Sequence, residues 1–521
     1  MGLWGRLVVG EEGFQVRPGA EIQLPPDLQQ AWEARLEERF AGSPEETLSS
    51  LEVAAALGSD VDLGEWAQAC MEAGIGAIAL GPVAEALLQE RLAVPTEGGW
   101  AFAHGMLREA LVRRARERGT WAWWNRAAAT TVGDDPQEAE GLERLGRYRL
   151  EADEPLRALE PLYAAAEAWQ ARGVPRRALA LLDLREQAAS RGALPPEDER
   201  HGLGPVLRAR IHRFRGELDE ALRWAQRGER GATDFGWPRV GALAALRVGQ
   251  VAHLRGDRET SALLHGRTLP LLHDLGLAQP AAEAEQALAD LALRAGDLEG
   301  AEEGFERATA RFLAAGDSAG AGNCLRAQAL VARRREDRAG AVAWIGRALE
   351  AYAAAGHLSG RADCLNTLAE LDREAGRLAA AQAGYEQAIE LQDAVGAATA
   401  GVFPRINLAL VLLAQQRWGE AERPLERCQL ALRDAGRQGV LGCVLAFRVA
   451  ADAGQGRWEE AEARLDQAEE ALNAAGTTEE DVAWSAAVAA ELAVAGGRRE
   501  LACRCLRLAA AQWRGLGRAE P

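Results

Sequence analysis

The sequence predicts an all-α protein built as a solenoid of helical hairpins. Three observations carry this: a strict glycine period, an apolar stripe that keeps the same period, and a composition dominated by helix formers. Hydrophobic residues make up 48%, charged residues 26% and aromatics 5% of the 521-residue chain, the balance of a soluble helical protein rich in Ala, Leu, Glu and Arg. That length exceeds what one hydrophobic core serves, so several domains or a repeat array are expected.

The period is read outward from Gly296. Turn glycines recur at Gly216, Gly256, Gly376, Gly456 and Gly496, with Glu336 and Gln416 in the two remaining slots, a spacing of 40 residues. A second series, Gly236, Gly276, Gly316, Gly356, Gly396, Gly436 and Gly476, falls halfway between. Glycine tolerates the left-handed conformation that ends a helix, so this punctuation predicts helices of about 15 residues joined by tight turns. A fixed period of roughly 20 to 50 residues marks a solenoid, in which each hairpin buries its apolar face against its neighbours.

The apolar positions agree. Second helices carry small–large–small triplets: Ala301, Phe305, Ala308; Ala341, Ile345, Ala348; Ala381, Tyr385, Ala388; Ala421, Leu425, Cys428; and Ala461, Leu465, Ala468. Offsets of four and three place each triplet on one stripe, where alanines permit close helix approach and the large residue fills the groove. First helices supply Ile211, Val251, Leu291, Val331, Leu371 and Val411 as core, each contributing roughly 1.5 to 3 kcal/mol when fully buried.

AGDLEGAEEGFERA, Ala295 to Ala308, carries a glycine turn, an apolar residue, alanine, an aromatic and alanine, and in this it resembles the second-helix signature of the tetratricopeptide repeat. The resemblance implies a right-handed α-solenoid of about eight units over 199–517, with the first helix of each hairpin lining the inner groove. The period departs from the usual 34 residues, and the usual closing proline is missing; longer second helices account for both.

Upstream the period breaks, and EPLRALEPLYAAAEAWQARGVPRRALALLDLREQAASRG reads as one further hairpin turning at Gly173, within a helical connector over 119–198 that ends in the linker GALPPEDERHGLGP. In 44–118, three short helical stretches (SPEETLSSLEVAAALG, DLGEWAQACMEAG, PVAEALLQERL) precede LAVPTEGGWAFAH, whose Gly98-Gly99 suits a hairpin tip. Helices followed by a small β-hairpin suggest a winged-helix domain. EVAAALGSDVDLGEW, ALLQERLAVP and WAFAHGMLREAL resemble the winged helix of signal-transduction ATPases with numerous domains, in particular large bacterial regulators that join an ATPase to tetratricopeptide repeats, often behind a serine/threonine kinase. GFQVRPGAEIQLPPDLQQAWEARL, Gly13 to Leu36, is similar to the linker that follows the ATPase in such proteins, so 1–43 is expected to be a linker remnant after an absent ATPase domain. The resemblance also implies a role for His104 in AFAHGML: contact with an ADP phosphate when an ATPase domain is present, with the start of the following helix favouring the same anion. The alternative is that His104 only caps the wing.

Composition narrows function. Net charge is -18, which repels a phosphate backbone or an anionic membrane, so nucleic acid and membrane are not expected partners. The chain contains no lysine, so all 60 basic residues are arginine, and the chemistries of a P-loop, of a kinase's strand lysine and of a Schiff base are excluded. No G-x-S-x-G and no readable Ser-His-Asp arrangement occurs. The opening MGLWGRLVVGEEGF lacks an apolar core for secretion, Arg6 stands where myristoylation wants Ser or Thr, and no long apolar span occurs, so a cytoplasmic location is expected. Seven cysteines without C-x-x-C spacing read as reduced, packed thiols, Cys503 and Cys505 pointing to different faces. His201, His212, His253, His265, His273 and His357 lack metal spacing, and the pairs Glu302-Glu303 and Glu459-Glu460 read as solvated faces. In the cluster Trp121, Trp123 and Trp124, the first and last lie three apart and are expected to pack a helix against the winged helix rather than form a ligand platform.

The expected function is therefore non-enzymatic, without cofactor or metal: a sensor or scaffold that holds a protein or peptide in the inner groove and, in a complete protein, restrains an ATPase. By the family's register the partner-binding residues are Gln250, Gln286, Asp290, Asn323, Arg326, Arg333, Asp363, Asn366, Glu370 and Arg373, with Arg326 and Arg333 placed to clamp a carboxylate. A free-standing adapter is the alternative, and a winged-helix transcription factor is disfavoured by the acidic balance.

Overall fold

The computed structural model describes residues 7–10, 13–16, 39–40, 42–76, 80–133, 136–395 and 401–518. Most of the expected linker, 17–38, and the turn expected at Gly396 lie outside them. The chain divides into two compact units, Met1–Val251 and Ala252–Pro521.

In the first unit, β1 (Leu7–Gly10) and β2 (Gly13–Val16) form an antiparallel hairpin. Then follow α1 (Glu45–Leu57), β3 (Asp60–Asp62), α2 (Leu63–Glu72), α3 (Leu80–Gln89), β4 (Ala93–Pro95), β5 (Gly99–Phe102) and α4 (Gly105–Glu117). The three helices and the hairpin tip fall where the sequence places them; β3 is an addition, pairing with β5 to give the antiparallel order β3-β5-β4. Asp62 starts α2 by accepting from the backbone N–H groups of Gly64 and Glu65. Beneath the sheet the buried rings of Trp66 and Trp100 meet edge to face at 5.5 Å, and Trp66 Nε1 donates to Ser50 O at 2.7 Å.

Glu52, fully buried on α1, organises the next layer. It accepts from Arg114 on α4, from Trp124 Nε1 at 2.9 Å and from Thr120 Oγ1 at 3.3 Å, so one carboxylate ties three segments together. α5 (Trp121–Val132) thus packs as expected through Trp121 and Trp124, whereas Trp123 is about half exposed, its Nε1 donating to Ala73 O at 3.0 Å. Hairpins follow: α6 (Ala139–Glu151) with α7 (Pro155–Ala171), α8 (Pro175–Arg191), α9 (Arg200–Phe214) with α10 (Leu218–Phe235), and α11 (Pro238–Leu254). Pro155 and Pro175 occupy the first helical turn, where a missing N–H costs nothing, and Gly173 turns the α7–α8 hairpin at φ 78°.

The second unit is a file of hairpins: α12 (Arg258–Asp274), α13 (Ala278–Ala295), α14 (Leu298–Ala314), α15 (Ser318–Arg334), α16 (Arg338–Ala354), α17 (Leu358–Glu374), α18 (Leu378–Val395), α19 (Val402–Ala414), α20 (Trp418–Asp434), α21 (Gln438–Gly454), α22 (Trp458–Ala475), α23 (Glu480–Ala495) and α24 (Arg499–Gly515). The fold is an all-α solenoid of tetratricopeptide-like hairpins. Its turns obey the period: Gly296, Gly316, Gly356 and Gly376 have φ between 63° and 86°, and Glu336 and Gln416 adopt the same left-handed conformation at 61° and 59°. At the last slot the left-handed residue is Gly497 and not Gly496, a slip of one position. At several turns the next residue caps the following helix. Asp297, Asp317 and Asp337 accept from Gly300, Gly320 and Gly340 N–H, and His357 Nδ1 accepts from Gly360 N–H at 2.9 Å.

First and second helices are equally long, mostly 17 or 18 residues, so the extra length over a 34-residue repeat is shared and not confined to the second helix. The small–large–small triplets are fully buried at all five sites. Of the first-helix positions, Leu291 alone among the six is only half-buried.

Regular stacking changes near the end. α21 is buried from Leu441 to Ala453 on every side, and α23, besides pairing with α24, packs along α21 instead of against the helix before it. A helix buried all round, Arg448 and Asp452 included, needs cover on both faces, and α23 supplies the second. Six of the seven cysteines are buried and Cys503 is exposed, as the spacing of Cys503 and Cys505 implied. No described helix is long and apolar enough to cross a membrane.

Candidate functional site

In the second unit, the first helices of successive hairpins carry a connected polar network. Tyr352, a second-helix residue whose ring is 1% exposed, sends its hydroxyl to this face, where it donates to Asn323 Oδ1 at 2.7 Å. That ring fits because Gly322 and Gly360 lack side chains: a Cβ on either would approach ring carbons to 2.8 Å and 2.5 Å. Arg326 stands beside Tyr352 and opposite Asp363. Desolvation works against its charge, but Tyr352 and Asp363 outweigh it and hold the guanidinium above its ordinary pKa. Asn323, Arg326 and Asp363 are all exposed, and Asp363 also accepts from Gln392 Nε2 at 3.4 Å.

Two turns along the same helices, Arg333 lies 3.8 Å from Glu370 and 3.3 Å from Glu374. Glu370 accepts from Asn366 Nδ2 and from Asn407 Nδ2, both at 3.1 Å, and Asn407 also donates to Asn366 Oδ1. Arg373 rests against Tyr385 and donates to Asp481 Oδ1 at 3.2 Å, a contact across 108 residues created by the packing of α23 on α21. Desolvation pushes Asp290, half-buried on α13, up to about 6, although Arg294 and Arg326 pull the other way.

The structure therefore brings together seven of the residues expected from the sequence: Asn323, Arg326, Arg333, Asp363, Asn366, Glu370 and Arg373. Asp290 reaches them through its field on Arg326, and Gln286 lies half-buried one turn before Asp290. Gln250 belongs to the first unit, where it accepts from Arg247 at 2.8 Å. Arg333 already has two carboxylate neighbours, so the pair Arg326 and Arg333 is not an open clamp. Sequence reasoning missed Tyr352, Asn407 and Asp481. For Tyr352 the signal was present: an aromatic in the last turn of α16, faced by glycines at Gly322 and Gly360.

In the first unit, His104 is exposed at the N-cap position of α4, in extended conformation. Along the same helix, Arg108, Val112 and Arg116 border a cavity of about 580 Å3, closed on other sides by Trp121, Arg144 and Tyr148. Its arginines are mostly committed: Arg144 grips Glu65 with both terminal nitrogens, and Arg116 reaches Glu151 at 2.9 Å. Arg108 is instead held by a carbonyl, Ala55 O at 2.9 Å, and burial lowers its pKa. Among the described residues no group of three or more His, Cys, Asp or Glu side chains is arranged to hold a metal.

No family model matches the sequence, and no curated protein does. Solved structures do match. The apo form of RapI aligns with 70% of this chain and 98% of its own at 11% identity and a TM-score of 0.50, which shows the shared helical-repeat fold. A signal transduction ATPase with numerous domains and a tetratricopeptide repeat sensor, from Pyrococcus horikoshii, aligns with 96% of this chain at 14% identity and a TM-score of 0.46; the alignment spans 66% of that protein. The apo quorum sensor NprR from B. thuringiensis aligns over 68% of this chain and 97% of its own, at 14% identity and a TM-score of 0.46.

Proposed function

We propose that the chain is a non-enzymatic sensor and scaffold whose second unit binds a protein or peptide on the face built by its first helices. The observation that carries this reading is the network around Tyr352: exposed polar groups of both signs, Asn323, Arg326 and Asp363, fixed on a rigid, fully buried frame. Such a surface offers a peptide backbone donors and acceptors without further ordering cost. Arg326 supplies a planar donor for a carboxylate, and Asp363 supplies an acceptor about one hairpin away. Gln286, Asp290, Arg333, Asn366, Glu370 and Arg373 extend the same face; Gln250 is a separate contact candidate within the first unit.

Residues 44–118 act in this reading as a winged-helix domain, 119–198 as a connector and 199–517 as the repeat array, with 1–43 the linker from an ATPase domain. The helix–sheet order of 44–118 supports that division, and the exposed place of His104 before α4 supports a phosphate contact if an ATPase domain is joined. Partner binding then releases a restraint on that ATPase.

Capture from lysate with the purified chain tests the proposal. A specific protein should be retained by the native chain, lost with Arg326→Ala and Asp363→Ala, and kept with Arg223→Ala, an exposed arginine on α10. Retention indifferent to Arg326 and Asp363 refutes the site.

A further inference from the structure

A second cavity in the first unit, about 160 Å3, lies among α8, α9 and α10 and is lined by Arg185, Arg208 and Arg227. Arg185 is only 4% exposed, yet its hydrogen-bond partners are neutral: Nε donates to Leu159 O at 3.2 Å and Nη2 to Arg200 O at 2.7 Å. Glu160 and Asp198 act on it only through space, and burial outweighs them, holding its pKa below the ordinary value. A guanidinium has five N–H donors, and those on Nη1 face Gly204, where an added Cβ would stand 3.3 Å from the nitrogen. Gly204 sits inside α9, where alanine would favour the helix, so its missing side chain keeps room beside Nη1.

Arg208, 7% exposed, donates through Nη2 to Asp183 at 2.6 Å, and its guanidinium lies 4.8 Å from the Trp224 ring centre. Arg227 flanks the same ring at 5.2 Å and reaches Glu186 at 2.8 Å. Asp183 and Glu186 offset Arg208 and Arg227, Glu186 lying 3.7 Å from Arg208 as well, so Arg185 is the lining arginine whose charge has no carboxylate partner of its own. A guanidinium buried to this degree without a counter-charge calls for an anion.

We propose that this cavity binds a small oxyanion of phosphate type, as the free ion or as the phosphoryl group of a small metabolite, with Arg185 Nη1 and Arg208 as donors. Phosphate carries about -1.5 to -2 charge near neutral pH and offers strong acceptors for the donors that Arg185 Nη1 leaves unspent. The site is independent of the peptide-binding face and of any ATPase.

Calorimetric titration of the full chain with inorganic phosphate, against chloride at matched ionic strength, tests this. Saturable binding is expected for phosphate alone, weakened at least tenfold in Gly204→Ala, whose methyl group fills the space beside Nη1, and in Arg208→Gln. Circular dichroism of both variants establishes that they are folded, and Gly204→Ala keeps every charge. A parallel titration with glycerol 3-phosphate separates the sources: tighter binding than phosphate assigns the phosphoryl group of a metabolite, weaker binding the free ion. Absence of saturable binding beyond chloride, or unchanged affinity in Gly204→Ala, overturns the proposal.

Discussion

Tyr352 joins the packing of the second unit to its candidate binding face, and two substitutions separate the two roles. Phenylalanine keeps the ring between Gly322 and Gly360 and deletes the hydroxyl, with its 2.7 Å hydrogen bond to Asn323 and its contact with Arg326. Such a bond is worth about 0.5–1.5 kcal/mol, and because Asn323 is exposed, water takes the lost donor's place and the cost falls near ~0.5 kcal/mol. Alanine removes a side chain that is 1% exposed and leaves a cavity, a loss of about 3–5 kcal/mol. In a repeat array each hairpin leans on its neighbours, so one global unfolding free energy does not describe the response. Hydrogen exchange resolved by helix is the assay. Tyr352→Ala should speed exchange in α15, α16 and α17 and leave α23 and α24 protected, while Tyr352→Phe leaves the pattern nearly native. Equal losses for the two variants, or loss spread evenly over the unit, would refute the reasoning.

Three further predictions follow from single side chains. Asp290 has a folded pKa of about 6 against an ordinary 3.8, so the folded chain binds more protons than the unfolded one between those values and stability falls as pH rises through that window. Asp290→Asn should therefore gain on the order of 2 kcal/mol over the native chain at pH 7 and lose that advantage by pH 4, read from paired melting curves; a pH-independent difference would contradict it. Glu52→Ala strands Arg114 and the Trp124 indole N–H in a buried layer and should cost about 3–5 kcal/mol, seen in urea unfolding followed by tryptophan fluorescence, with Glu52→Gln milder. Burial raises the thiols of Cys70, Cys324, Cys364, Cys428 and Cys443 to about 12 and Cys505 to about 11, so a thiol reagent at pH 8 should label the native chain at Cys503 alone and all seven cysteines after unfolding.

The amino-acid sequence by itself determined the architecture, because its signals are local and repeated. Glycines 20 residues apart set the turns, and even Glu336 and Gln416 adopt the left-handed form their slots require. The triplet stripe marked the core in five units for the same reason, since helical spacing is a property of neighbours along the chain. The seven polar residues that meet in the second unit were legible from register on the first helices. Their partners were not. Tyr352 reaches Asn323 across a hairpin, Arg373 meets Asp481 only because α23 lies along α21, and Arg185 lacks an ion-pair partner because of what three helices place around it. These depend on how separate helices tilt and approach, and that is decided by side-chain volume and shape at contacts distant in sequence, which a period of 40 residues leaves open.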